Sequence, residues 1–250
     1  MLGHHVVEGD VEVILKATGE HRCGNSGPVP IYEVLVPTLE KPEGINPCAG
    51  EAYVPGPEET CQDPTQLHGR AIAVPGAWDR TGVYHKERDG KQVFTLSCMT
   101  GIAAKCVNWG YPPWGQHGQA TVSDYFAACT QAARAEYTRG RSYTCQGTLI
   151  DVYDRLAIEQ PDNTNLDLKI EAAWGKDGLI CMGAPRFAAC EAEVQSLPDC
   201  DEKQLSWSNR ANWPPDVLLV TRSTNANATQ TGACPKSKAL CTSSREAVSP

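Results

Sequence analysis

The sequence predicts an α+β fold: a β-rich single domain, held by disulfides, with one principal helix. Three observations predict it. Twelve cysteines, an even number, stand among 250 residues that include only three methionines. Short apolar–polar alternations bounded by Pro, Gly and Asp-Gly recur along the chain, as half-buried strands require. One longer stretch, residues 122–138, instead repeats its apolar residues at helical spacing. A chain of this length buries roughly 70–75% of its unfolded surface. It does not need cross-links merely to own a core, so the cysteines ask for their own explanation.

The elements follow in order. Residues 10–17 alternate, with Val11, Val13 and Leu15 on one side, which predicts a strand. Ile31 to Val36 is a second, bounded by Pro30 and Pro37. Residues 37–70, rich in proline, read as a disulfide-tethered loop region. Gly82 to Glu87 and Lys91 to Cys98 flank Arg88-Asp89-Gly90, a hairpin signal, because glycine takes a positive φ without steric cost. Ile102, Cys106 and Trp109 recur at helical spacing and Gly110 follows as a C-terminal cap. Tyr111-Pro112-Pro113-Trp114 must then be extended. The principal helix, 122–138, opens on a Thr121–Asp124 capping pattern and puts Val122, Tyr125, Phe126, Cys129, Ala132 and Ala133 on one face. Strands follow at 148–154, 168–174, 179–182 and 217–221, the middle two joined through Gly175-Lys176-Asp177-Gly178. The domain thus spans 1–222, and 223–250 is a tail rich in Ser, Thr, Asn and Ala.

Composition excludes several classes. With 41% hydrophobic residues the chain is too apolar for disorder, and no run approaches the roughly 20 apolar residues of a membrane-spanning helix. A net charge of −8 argues against nucleic acid, which needs a basic face. No C-x-x-C knuckle, His-Glu-x-x-His, Gly-x-Ser-x-Gly or P-loop pattern is present. The simplest account of the cysteines is six disulfides made in an oxidising compartment, secreted or periplasmic. Pairing cannot be read from the order, although Cys98–Cys106, Cys190–Cys200 and Cys234–Cys241 would make short local loops. The opening Met1-Leu2-Gly3-His4-His5 lacks the apolar stretch of a signal peptide and reads as a mature chain carrying an initiator Met. The His4-His5 pair reads as a polar terminus and Asn227-Ala228-Thr229 as a glycosylation sequon; no metal or other cofactor is called for.

Several segments between residues 70 and 183 carry a resemblance. They are Ala71-Ile-Ala-Val-Pro-Gly-Ala-Trp-Asp79, Lys105-Cys-Val-Asn-Trp-Gly-Tyr-Pro-Pro-Trp114, Arg134-Ala-Glu-Tyr137, Gly147-Thr-Leu-Ile-Asp151 and Glu171-Ala-Ala-Trp174. Together they resemble the ADYC domain, a family of largely uncharacterised secreted bacterial proteins. The family's Ala-Asp-Tyr-Cys stretch reads Ala135-Glu136-Tyr137-Thr138 here, and a cysteine stands at 145 instead. The resemblance implies a fold and an exported location. It implies no activity.

Candidate chemistry rests on four residues. Helical phase carries Glu136 back to within about 40° of Val122, onto the apolar face of the principal helix. A carboxylate there is either a general acid or base, or a group pinned to a backbone loop or an arginine. Asp151 lies between Leu149 and Tyr153 on one strand face and would be half-buried; with Glu136 it could make a two-carboxylate, glycosidase-type pair. Glu171 alternates away from Ile170, Ala172 and Trp174 and reads as solvated. Tyr111 and Trp114 crowd a Pro-rich turn, where rigid aromatics make stacking platforms, while Trp109 reads as core. Two functions follow. One is a secreted interaction or structural module binding an extracellular peptide, glycan or protein at Tyr111 and Trp114. The other is a secreted hydrolase using Glu136 and Asp151.

Overall fold

The computed structural model describes residues 13–21, 28–50, 67–78, 84–85, 87–138, 141–144, 148–163, 168–187 and 196–223. The His4-His5 pair, the Asn227 sequon, the tail beyond 223 and the Cys234–Cys241 loop lie outside them. The fold is α+β and disulfide-stabilised, with many short strands and few helices. The chain forms two compact units, residues 1–123 and 124–250.

In the first unit the strands are β1 (Ile14–His21), β2 (Val29–Leu35), β3 (Arg70–Pro75), β4 (Ala77–Trp78), β5 (Tyr84–His85), β6 (Glu87–Arg88), β7 (Lys91–Gln92) and β8 (Phe94–Cys98). After them come the helix α1 (Ile102–Asn108) and a two-strand ribbon, β9 (Gln116–His117) and β10 (Ala120–Thr121). The main sheet is antiparallel, ordered β1-β2-β3-β8. Asp89 (φ 54°) and Gly90 (φ 69°) make the two-residue turn between β6 and β7, at the expected Asp-Gly signal. Of the expected strand at 10–17, residues 10–12 lie outside the described residues, and β1 runs from 14 to 21; of the expected hairpin, 82–83 and 86 lie outside them, and its second strand is broken at Val93 into β7 and β8. β3 had no expectation at all. Its Ala71, Ile72 and Val74 are all buried, so it carries a continuous apolar run in place of an alternation.

Cross-strand partners share a face, which assigns the two sides of this sheet. Ile31, Ile72, Val74 and Ser97 face α1, and buried Ser97 Oγ accepts the Ala104 N–H at 3.2 Å. On the other side lie Leu15, Val34, Ala71, Leu96 and Cys98, partly covered by Cys48. A disulfide joins Cys48 to Cys98 across 50 residues. In the chain-entropy view, closing a loop of that length contributes about 4 kcal/mol. The expected Cys98–Cys106 loop is therefore not made; Cys106 and Cys129 are disulfide-bonded too.

The second unit holds α2 (Ser123–Ala133), β11 (Ile150–Asp154), β12 (Lys169–Gly175), β13 (Gly178–Met182), a 3-10 turn (Trp207–Asn212) and β14 (Leu219–Ser223). These strands fall where expected within a residue or two. Their sheet is antiparallel, ordered β11-β14-β12-β13, so the last strand lies in its interior. One face is packed by Tyr153, Ile170, Ala173, Leu205, Trp213, Val217 and Val220. Arg155 fastens the 213–217 loop, donating from Nε to the Val217 carbonyl at 3.0 Å and from Nη2 to the carbonyls of Trp213 and Pro214. Cys200 is bridged to Cys181 of β13, not to Cys190, because Asp199 pairs with Met182 and lays the segment along that strand.

β12 carries a bulge between Ile170 and Ala172 where it pairs with β14. Gly183 sits against it, donating its N–H to the Glu171 carbonyl at 2.7 Å. A Cβ on Gly183 would meet the Ile170 carbonyl oxygen at 2.3 Å, and that oxygen belongs to a buried strand that cannot step aside. Gly183→Ala should therefore cost about 2–3 kcal/mol of stability, read as a lowered urea midpoint; an unmoved midpoint would contradict the close approach.

Candidate functional site

The principal helix ends earlier than its apolar periodicity suggests. α2 stops at Ala133, so Glu136 stands beyond it and the helical-phase argument does not apply. The stop is made by Ala135, whose φ is 49°. The Ala135 N–H donates to the Ala132 carbonyl at 2.9 Å and the Glu136 N–H to the Gln131 carbonyl at 3.0 Å. This is a Schellman cap with alanine where glycine is usual. α1 ends the same way with glycine in place: Gly110 (φ 87°) donates to Val107 and Tyr111 to Cys106, both at 3.0 Å.

Glu136 is nonetheless buried, 5% exposed, and Arg134 Nη1 lies 3.0 Å from its Oε2. The structural option weighed for it, a carboxylate facing an arginine, matches this geometry. The Arg134 carbonyl in turn accepts from Tyr143 N–H at 3.1 Å and Ser142 Oγ at 2.9 Å, which lays residues 141–144 beside the cap.

Tyr137, next along, enters a buried network that the sequence reading did not foresee. Its hydroxyl donates to Glu171 Oε1 at 2.8 Å and accepts the Arg186 N–H at 2.9 Å. Arg186 Nε donates to Glu171 Oε2 at 2.9 Å, and Nη1 donates to the Ala133 carbonyl at 3.0 Å and to Thr144 Oγ1 at 2.9 Å. Nη2 donates to the Ala132 carbonyl. The guanidinium thus closes the C-terminal end of α2, adding a donor to the Ala133 carbonyl and a second one to that of Ala132, where the helix dipole favours a cation. Glu171 is 0% exposed, which corrects the expectation that it is solvated. Both faces of β12 are covered, since Ile170 to Gly175 are all buried, so an alternating residue finds no water on either side. The bulge inserts one residue and sets Glu171 on the side of Trp174, and both meet the same side chain: Trp174 stacks on the Tyr137 ring at 6.1 Å between centroids.

Asp151 is half-buried as expected, but both its oxygens are engaged. Arg222, opposite it on β14, donates from Nε to Oδ2 at 2.6 Å, and the Asp162 N–H donates to Oδ1 at 2.9 Å. Arg222 Nη2 also donates to the Asp162 carbonyl at 2.7 Å. Glu136 and Asp151 therefore each face an arginine of their own.

The two aromatic candidates separate. Tyr111 is 0% exposed, which corrects its expected role as a platform beside Trp114. It follows the Gly110 cap, and that cap turns the chain inward. Trp114 is 47% exposed. It occupies the third position of a turn, Pro112-Pro113-Trp114-Gly115, closed by Gly115 N–H donating to the Pro112 carbonyl at 2.8 Å. Trp109 is half-buried, not core, with Lys105 Nζ 5.0 Å from its ring centroid.

Among the described residues no group of three or more His, Cys, Asp or Glu side chains is gathered as metal ligands would be. No helix among them is long and apolar enough to cross a membrane.

Burial holds the protons of three tyrosines tightly. Tyr125 is pushed up to about 12 by desolvation, with Asp154 adding to it. Tyr137 is raised well above the ordinary 10.0, first by burial and then by the Glu171 charge. Tyr153 is raised chiefly by burial. A proton bound more tightly when folded gives stability that is full below the ordinary tyrosine value and is lost as pH climbs past it towards the folded values. Stability should thus fall above about pH 10, and tyrosinate absorbance should show these three ionising above the ordinary tyrosine range. Uniform titration of all eight tyrosines near pH 10 in the folded chain would contradict this. Glu171→Ala should cost about 3–5 kcal/mol, because it leaves Arg186 charged and buried without its partner. Lys176→Ala, in the exposed Lys176–Asp177 pair, should leave the urea midpoint in place.

Among known proteins the chain is matched by a family model. The ADYC domain profile matches residues 8–188, well beyond the segments that carried the resemblance and short of β14. No curated protein and no solved structure matches the chain. The match covers most of the chain, and its namesake stretch, Ala135 to Thr138, forms the cap of α2 and the Tyr137 network: the chain belongs to the ADYC domain family.

Proposed function

We propose that this protein is a secreted or periplasmic, disulfide-stabilised interaction module that binds an extracellular peptide, glycan or protein through Trp114. The observation that carries the reading is the contrast between its carboxylates and its aromatics. Glu136, Asp151 and Glu171 each lie against an arginine, at 3.0, 2.6 and 2.9 Å, and the Asp151 and Glu171 pairs tie together segments distant in sequence. A general acid or base instead needs an oxygen within reach of the substrate proton. Trp114 has the opposite character: a large ring, half exposed, on a short turn fixed by two prolines. Such a side chain gives contact area at little entropic cost, because its backbone is already ordered. The bridges Cys48–Cys98 and Cys181–Cys200 support an oxidising compartment.

The test is a binding screen on peptide, protein and glycan arrays with wild type and Trp114→Ala side by side. The variant should keep its stability within about 0.5 kcal/mol, since the ring is at the surface, and should lose the ligand. Binding equal in both samples would remove Trp114 from the site. Turnover of a model glycoside or ester that Glu136→Gln abolishes would sink the binding reading in favour of a hydrolase.

A further inference from the structure

We infer that the ligand taken at Trp114 is a neutral carbohydrate. This rests on the proposed binding role of Trp114 and narrows it. The surroundings of the ring carry the inference. Trp114 leads through Gly115 directly into the β9–β10 ribbon, and Gln116, His117, Gln119 and Thr121 of that ribbon are exposed. The turn is fastened to the root of the ribbon: Val122 N–H donates to the Gly115 carbonyl at 3.3 Å, and Val122 itself is buried. A Cβ on Gly115 would meet Pro112 Cγ at 2.7 Å and Val122 Cγ2 at 3.1 Å, so turn and ribbon are packed together as one piece. The indole and the ribbon side chains are thus presented on one ordered segment.

That segment has no formal charge. From Cys106 to Ser123 the sequence contains no Asp, Glu, Lys or Arg, although 21% of the whole chain is charged. What it offers is one flat π-face and a set of side chains that both donate and accept hydrogen bonds. A sugar ring has the matching chemistry. Its axial C–H groups make an apolar face that lies on an indole, whose face carries negative charge density. Its hydroxyls, each a donor and an acceptor, pair with the carbonyl and NH₂ of glutamine and with hydroxyl groups. A charged peptide or an acidic polysaccharide would find no counter-charge within the segment. An apolar peptide would find a single ring and no groove of neighbouring apolar side chains in it, since the exposed residues beside Trp114 are polar or glycine.

The experiment is affinity electrophoresis of the full chain through gels containing laminarin, hydroxyethyl cellulose, glycol chitin or soluble starch, with alginate and heparin as acidic counterparts. At least one neutral polymer should retard wild type. Trp114→Ala should weaken that retardation about tenfold or more, the loss of one stacked ring. Gln116→Ala and Gln119→Ala together should weaken it several-fold. Raising salt from about 0.05 to about 0.5 M should leave it unchanged, since no charge pair is screened. Retardation by alginate or heparin alone, reduced by salt yet dependent on Trp114, would overturn the neutral-carbohydrate assignment and leave the Trp114 site standing. Retardation by a neutral polymer that Trp114→Ala does not alter would overturn the site itself. No retardation by any neutral polymer, beside Trp114-dependent binding on the peptide or protein arrays, would also overturn the carbohydrate class alone.

Discussion

A single guanidinium organises the second unit. Arg186 is almost without solvent contact, and taking such a charge out of water costs several kcal/mol unless it is fully answered. Here the guanidinium is answered from three directions, by the Glu171 carboxylate, the two terminal carbonyls of α2 and the Thr144 hydroxyl, while the Tyr137 hydroxyl accepts the Arg186 backbone N–H. Each demand fixes a different element. Glu171 must lie on the same side as Trp174, so β12 must bulge. The carbonyls of Ala132 and Ala133 must point at the guanidinium, which they do at the cap that ends the helix. Residues 141–144 must run back alongside the cap. The chain beyond β13 must return to bring Arg186 in. No one of these can relax without stranding a buried charge, which is why the segment reads as a specification of architecture more than of chemistry.

The same logic recurs on the other carboxylates and separates structure from function. Asp151 and Arg222 face each other across β11 and β14 and gather the Asp162 backbone between them. Asp154, fully buried, accepts the N–H groups of Leu156 at 2.7 Å and Glu159 at 2.6 Å and so shapes the turn after β11. Acidic groups in this unit therefore act as staples for backbone that strands and helices leave unpaired. Nothing comparable occupies the Trp114 turn. Its backbone is held by prolines, a Gly115 hydrogen bond and the packing of Val122, and the indole stands half exposed.

Much of this fold was legible and some of it could not be. The turns at Asp89-Gly90 and Lys176-Asp177 and the end of α1 at Gly110 are written in residue types whose backbone preferences are local. The end of α2 uses the same geometry with Ala135, and alanine is the best helix former there is; the periodicity therefore ran on through Glu136. Glu171 failed for a related reason. Strict alternation places it opposite Trp174, and only the bulge, set by pairing with a strand some fifty residues later, brings both to Tyr137. Tyr111 and Trp114 looked alike because both sit among prolines, yet the cap at Gly110 turns one inward and the turn at Gly115 leaves the other out. The bridges Cys48–Cys98 and Cys181–Cys200 span 50 and 19 residues and follow sheet neighbours that no local spacing reveals.

The strand order of the second sheet has a consequence for how this protein is made. β14 is the last described strand, yet it lies between β11 and β12 and supplies backbone partners to both. A chain emerging from the ribosome can form α2 and the β12–β13 hairpin early, since their contacts are local. It cannot close the sheet until residue 223 is available, because β11 has no partner in it other than β14. Until then both strands present open edges, and the Asp151 carboxylate lacks Arg222. The sheet of the second unit is therefore completed by the last of its described strands, which brings the partner of β11 and the partner of Asp151 in one step.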